Sequence, residues 1–436
     1  MTNCTLKTIR FPGVKGRKVE ASFSGLPITS DGGGLLLRSV DARIGLMDRV
    51  AKCFSDSRRK ASCKHLVSTL IKQRVFGLAL GYEDLNDHDT LRHDPALQTF
   101  VGRDAELASS PTLCRFENRA SKADLFGLSR VLVDTFIASY KEAPEEIVLD
   151  FDSTDDTVHG KQDGRFFHGY YDSYCFLPLY VFCGNHLLCA YLRPSKNDNA
   201  KHALGILSLL VKRIRQFWPK TRIIFRGDSG FCRWKLMRWC DRHDVAYLIG
   251  LAKNSRLLDL ADSFLKAARE KFLQTGQKQT HFHEIDYAAR TWDGERRVIV
   301  KAEHMDKGSN PRFVVTNLKD EPATLYSRYC ARGEMENRIK EQQLYLFADR
   351  TSASKWVPNQ FRILLSALAY TLLQAIRQIT LAGTELANAR CDTIRLKLLK
   401  IGACVIRNTR RIRLLLSASC PYQELFQLAA IRLQPG

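Results

Sequence analysis

Four acidic residues stand where a chain could put them to chemical use. Residues 147–152 read Ile-Val-Leu-Asp-Phe-Asp, a short apolar strand whose alternation sets Ile147, Leu149 and Phe151 on one face and Val148, Asp150 and Asp152 on the other. A later strand, 222–226, runs into Gly227-Asp228-Ser229-Gly230, a turn of the kind that presents a side chain at a sheet edge. Glu336 falls near the start of a helix expected over 334–347, with Arg332 one turn before it and Lys340 one turn after, all on one side. Carboxylates from separate segments suit a hard cation such as magnesium, which takes oxygen ligands and keeps positions open for phosphate. Two such ions about 4 Å apart are what phosphodiester cleavage and strand transfer use to activate a water or 3′-hydroxyl and to stabilise the leaving oxygen. Singly, each acid has an ordinary explanation: a strand-end Asp caps a helix or sits in solvent, and Glu336 with Lys340 makes a surface ion pair.

The elements that must position these residues follow from periodicity. Residues 175–183 and 186–193 read as two further strands joined by a Gly184-Asn185 hairpin turn. Then come a helix at about 200–217, the strand 222–226, a helix at about 233–243 and a strand at 245–250. Three antiparallel strands, helix, strand, helix, strand is the order of a ribonuclease H-like (RNase H-like) α/β core. From 254 to 311 the chain is polar, and 281–287 and 296–304 alternate like strands around Trp292-Asp293-Gly294-Glu295, a β-rich insertion. Residues 313–316 return to a strand. Ahead of the core, 59–81 has helical spacing through Leu66, Leu70, Ile71, Val75 and Leu78, a basic amphipathic helix; behind it, 385–436 reads as helical and basic, with Arg407, Arg410, Arg411 and Arg413 close together. The fold class expected is thus α/β, an RNase H-like catalytic core with a β-rich insertion between helical flanks. Its segments are 1–144 (helical, DNA-binding), 145–253 and 312–384 (core), 254–311 (insertion) and 385–436 (basic, helical).

Bulk composition narrows the partners. The 436 residues carry 67 Lys and Arg against 46 Asp and Glu, a net charge of +21 spread along the chain, which favours a polyanion. Apolar residues at 45% argue for packed domains rather than disorder. The 13 cysteines include no Cys-x-x-Cys pair, so reduced, mostly buried thiols are expected instead of a zinc ribbon. The start, MTNCTLKTIRF, has no apolar signal-peptide core, and the apolar stretch 363–373 is too short to span a bilayer and reads as a buried core helix. A cytoplasmic, nucleoid-associated protein with no membrane partner is the expectation.

Four spaced blocks carry a resemblance. Leu149-Asp150-Phe151-Asp152-Ser153-Thr154, Asp156-Thr157-Val158-His159-Gly160-Lys161-Gln162, Arg226-Gly227-Asp228-Ser229-Gly230-Phe231 and the run Tyr329 to Lys340 are similar to the signatures of bacterial insertion-sequence DDE transposases of the cut-and-paste type. Gln73-Arg74-Val75, Gly81 to Asp87 and Asn359-Gln360-Phe361-Arg362 resemble the same group. The family's Asp-x-Thr spacing selects Asp152 over Asp150 as first acid, with Asp150 kept as the alternative, and Tyr-x-x-Arg-x-x-x-Glu is met by Tyr329, Arg332 and Glu336. The family's lysine, seven residues after the Glu, is here Gln343, for which Lys340 is the substitute.

The resemblance implies that Asp152, Asp228 and Glu336 are catalytic and hold two Mg2+ ions, with Mn2+ as a substitute, while Tyr329, Arg332 and Lys340 contact DNA. Relatives with an insertion stack an aromatic on a displaced base during a hairpin step, and Trp292 is the candidate. The implied partners are double-stranded DNA, as terminal inverted repeats and target, and a second copy in a homodimeric synaptic complex; residues 1 to about 140 would read the repeats. Two other readings share the sequence: a structure-selective RNase H-like nuclease, and a catalytically inactive, host-adopted DNA-binding protein.

Overall fold

The computed structural model describes residues 8–56, 58–59 and 63–434. The chain divides into two compact units, one of residues 48–57 and 116–374, the other of 1–47, 58–115 and 375–436.

The first unit is built on a mixed sheet. Its strands are β1 (Glu146–Ser153), β2 (Leu179–Cys183), β3 (His186–Tyr191), β4 (Arg222–Gly227), β5 (Val245–Leu251), β6 (Gln279–Tyr287), β7 (Arg296–Met305) and β8 (Arg312–Thr316), side by side in the order β6-β7-β8-β5-β4-β1-β2-β3. β4 is parallel to both β1 and β5, and the remaining pairs are antiparallel. The run β3-β2-β1-β4-β5 is the RNase H-like core expected from element order.

Parallel central strands must be covered on both faces, and the alternation supplies apolar side chains to both. Ile147, Leu149, Phe151, Ile223, Phe225 and Ile249 pack under α1 (Ala203–Phe217) and α2 (Trp234–Arg242) through Leu207, Val211, Ile214, Leu236 and Met237. On the other face Ile224, Leu248, Ile299 and Val314 meet Leu318 and Leu325, the latter from α4 (Pro322–Cys330).

Residues 254–311 hold more than a β-rich insertion. They begin with α3 (Ser255–Thr275), which Asn254 caps by accepting the Leu257 N–H at 3.0 Å and which Gly276 ends at a positive φ of 65°. This helix buries only a narrow stripe, Leu257, Ala261 and Ala268, so its sequence reads as polar. The hairpin β6-β7 then bonds onto the core through β7 and β8, with Val298 opposite Val315, and extends the same sheet. Residues 175–183, expected as one strand, break at Pro178, which has no N–H to give a ladder.

The second unit departs from expectation three times. The helix Val67–Leu80 has no exposed residue, so the basic face expected of it is absent: Lys72 pairs with Asp41 at 3.4 Å, Arg74 meets His88 at 3.1 Å, and the Gln73 amide exchanges two bonds with Ala108. Apolar residues fill every side of that helix, and its charges point into polar partners rather than into solvent. Between 385 and 436, the strands Ala403–Arg407 and Ile412–Leu416 form a hairpin where helix was expected, followed by a helix at Gln423–Leu433. The turn is set by Asn408, whose side-chain oxygen accepts the N–H groups of Arg410 and Arg411. Arg410, Arg411 and Arg413 are exposed on it, while Arg407 is tied to Gln98 and Thr99. A further hairpin, Ile9–Val14 with Arg17–Ala21, precedes the helices.

The helix Trp356–Thr380 is long and apolar enough by length and composition to cross a membrane, and most of its apolar stretch is buried inside the protein. The twelve described cysteines are free thiols.

Candidate active site

Because β1 and β4 lie parallel and in register, with Arg226 opposite Asp150, their C-terminal ends share one end of the sheet. Asp152 closes β1 and Asp228 follows β4. The Asp228 carboxylate accepts the Gly230 N–H at 2.9 Å and so caps a short 3-10 turn, Ser229–Phe231. Phe231 anchors that turn, buried between Phe151 and Phe225. Glu336 comes from α5 (Gly333–Lys340), held down by Met335 and Ile339 so that the Glu336 side is exposed.

Arg332 sits among the three acids. Its Nη1 donates to Asp152 Oδ2 at 2.8 Å and its Nη2 lies 3.9 Å from Glu336 Oε1. Burial pushes the Asp152 carboxyl up to about 6; Arg332 opposes that shift, and the negative charges of Asp228 and Glu336 add to it. Arg332 is itself held above its ordinary range despite burial, through Asp152, Tyr329, Asp228 and Glu336. Burial likewise raises the Tyr329 phenol. That ring reaches the site only because residue 250 is glycine: a Cβ there would stand 2.5 Å from the Tyr329 hydroxyl and 3.0 Å from the Ser229 nitrogen.

The donor set is carboxylate oxygen throughout, which fits magnesium or manganese. Among the described residues no three acidic, His or Cys side chains stand close enough together to share an ion as they lie. Arg332 supplies the positive charge between Asp152 and Glu336 instead. Asp150 belongs elsewhere. It is 6% exposed and locked in a two-bond pair with Arg226, the second bond 2.8 Å long, while Arg226 also donates to the Arg328 carbonyl. Two carboxylates share one face of β1, and only Asp152 looks toward Asp228 and Glu336.

The transposase DDE domain, group 1, matches residues 11–435, nearly the whole chain. The chain belongs to that family. Among solved structures, it is similar to the piggyBac transposase in its synaptic complex with hairpin DNA, at 11% identity and a TM-score of 0.43, over 94% of this chain and 85% of that one. No curated protein sequence matches it.

Within this DDE transposase, the remaining sequence-nominated residues fall in different places. Trp292 lies in the turn between β6 and β7, beyond the pair Tyr287 and Arg296. Arg296 bonds the Tyr247 hydroxyl at the start of β5, whereas Asp152 and Asp228 sit at the strands' finishing ends. The Trp292 ring packs edge-on against Tyr287 at 5.4 Å and against the core, so the fold keeps it at the opposite end of the sheet from the acids. Lys340 is exposed one turn past Glu336. Gln343, at the position of the family lysine, donates to the Asp155 carbonyl at 2.7 Å and steadies the segment leaving Asp152.

Two further residues support the transposase site, Arg193 with no signal in the sequence and Asp156 within a signature block but without a role there. Arg193, fully buried, donates to the carbonyls of Leu177, Asn199 and Lys201 and to the Ser153 hydroxyl, all within 2.9 Å. It therefore fixes both the residue after Asp152 and the loop that brings Asn199 against Gly230. Asp156, inside one of the signature blocks, is buried with one oxygen on the Thr351 hydroxyl at 2.8 Å and the other without a partner among the described residues. Burial raises its carboxyl well above the usual range.

A carboxyl raised in the fold is neutral there and costs stability as pH climbs above its unfolded value, by up to about 1.4 kcal/mol per pH unit until the folded value is reached. Asp156→Asn keeps the acceptor for Thr351 and removes that cost. Its melting temperature should exceed that of the wild type, by more at about pH 7 than at about pH 5; an equal or smaller difference at the higher pH would show Asp156 ionised in the fold.

Proposed function

We propose that this transposase serves a bacterial insertion sequence: it binds the element's terminal inverted repeats, cleaves the DNA there in a magnesium-dependent reaction and joins the ends to target DNA. The observation that carries the reading is the convergence of Asp152, Asp228 and Glu336, from two strand ends and a helix, around a single arginine. Those three side chains would hold two Mg2+ ions, with Mn2+ as a substitute. When bound, the ions supply an activated nucleophile and neutralise charge on the scissile phosphate.

The chain's own residues do the rest. Arg332 balances the acids in the free protein and offers a guanidinium to a phosphate oxygen once DNA arrives. Tyr329, wedged over Gly250, holds Arg332 in position beside it. Asp150 with Arg226, and Arg193 with Ser153, keep the ends of β1 and β4 from shifting. Phosphate contacts by the excess of Lys and Arg supply affinity that falls steeply with salt. Residues 1–144, with the exposed arginines of the 403–416 hairpin, would read the repeats, and two copies would pair two ends in the bacterial nucleoid.

The test is labelled DNA from the borders of the encoding element, incubated with purified full-length protein. Nicks at the element terminus with Mg2+ or Mn2+, and none with EDTA, are expected. Cleavage indifferent to the terminal sequence would point instead to a structure-selective nuclease, and end binding without any cleavage to a host-adopted binding protein.

A further inference from the structure

Four of the nine exposed aromatics among the described residues lie in one short stretch: Phe166, Phe167, Tyr170 and Tyr174. They belong to a hairpin, Phe166–His168 against Ser173–Phe176, that nothing in the catalytic geometry above uses. Its base is firmly tied. Ser173–Phe176 pairs on its other side with Asp156–Thr157, four residues beyond Asp152, and the Ser195 hydroxyl donates to the Phe166 carbonyl at 2.8 Å. Each of its faces pairs a ring with a cation. Phe167 and Tyr174 are cross-strand partners with centroids 5.6 Å apart, and the Arg165 guanidinium lies 4.4 Å over Tyr174. Lys196 sits 4.4 Å over Phe166, and Tyr170, 85% exposed, stands edge-on to Tyr171. Tyr171 is close enough to Asp155 and Asp152 to feel their charge.

Exposed rings that a fold could have buried cost free energy unless something covers them. Paired bases cannot serve, because their faces are already stacked on one another and a duplex offers only edges and backbone. Unpaired bases offer bare faces, and the cations beside the rings match the phosphates between them. We propose that this hairpin is a stacking platform for unpaired nucleotides of the DNA strand that runs into the carboxylate cluster, with Phe167, Tyr170 and Tyr174 taking base faces and Arg165, on the same face as Tyr174, flanking phosphates. The inference rests on the transposase reading, and assigns it a surface beside Asp152 that holds melted DNA.

A mixed-sequence single-stranded oligonucleotide carrying 2-aminopurine, whose fluorescence falls when it stacks, is titrated with full-length protein, alongside a blunt duplex of the same sequence. The wild type should quench the single strand. Phe167→Ala with Tyr170→Ala should weaken single-strand binding at least about tenfold and lose most of the quench, with duplex affinity changed less than about twofold. Phe167→Trp should retain both. If the double variant fails to melt cooperatively, Tyr170→Ala alone carries the test, since that ring is almost wholly in solvent. Equal weakening of both probes, or no weakening of either, overturns the platform. So does a change in sedimentation of the free variant with probe binding intact, which would make the hairpin a contact between copies. Wild-type protein that quenches the probe yet never cleaves element ends overturns the transposition reading and leaves the platform standing.

Discussion

Asp228→Asn should lower metal-dependent cleavage of element-end DNA by about a thousandfold or more while changing affinity for those ends by less than about threefold. The reason lies in what the substitution spares. Asparagine keeps the side-chain oxygen that accepts the Gly230 N–H, so the turn anchored by Phe231 survives and only a charge is lost. That charge is one of two whose repulsion raises Asp152. Electrophoretic mobility shift and cleavage of the same labelled DNA separate the two effects. Retained cleavage with Mg2+ or Mn2+ would remove Asp228 from the ligand set. Asp150→Asn is the matched control: it leaves Arg226 buried with one bond fewer and no counter-charge, so it should lower the melting temperature first and affect cleavage through the fold.

The parts of this site that were legible in sequence are those with a period or a turn signature. β1 announced itself because strict alternation gave Leu149 and Phe151 to one face and Asp150 and Asp152 to the other, and Asp228 because glycines bracket it after an apolar run. What alternation could not say is which of two acids on one face is free. That depends on Arg226, opposite Asp150 in a strand far along the chain. α3 escaped notice because a helix on the sheet's rim buries a single narrow stripe. Residues 59–81 read as a basic amphipathic helix for the converse reason: Lys72 and Arg74 look like a solvent face in sequence, whereas their buried partners, Asp41 and His88, lie outside the helix. Trp292 is a candidate by residue type alone, and strand direction sets it far from the acids, since the turn joining β6 to β7 falls where β5 begins.

Arg193→Met should cost about 3–5 kcal/mol of stability, a large share of the roughly 5–15 kcal/mol that holds such a fold together. Methionine fills a similar length of space, so the expected loss comes from polarity and not from a cavity. Three carbonyls and a hydroxyl, from Leu177, Asn199, Lys201 and Ser153, would be left facing an apolar thioether in place of a buried guanidinium. Burial brings the guanidinium down to about 10, still charged at neutral pH, so wild-type stability should not depend on its titration there. Denaturant unfolding should show a lower midpoint with an unchanged slope, the mark of a stability change without a change in exposed surface. Arg193→Lys can reach some but not all four acceptors, and should fall between the two. Because Ser153 follows Asp152 and Asn199 packs on Gly230 beside Asp228, cleavage should fall in the same order as stability even well below the melting point. A Met variant as stable as the wild type would mean that those carbonyls find other donors, and that the two strand ends are held by the sheet alone.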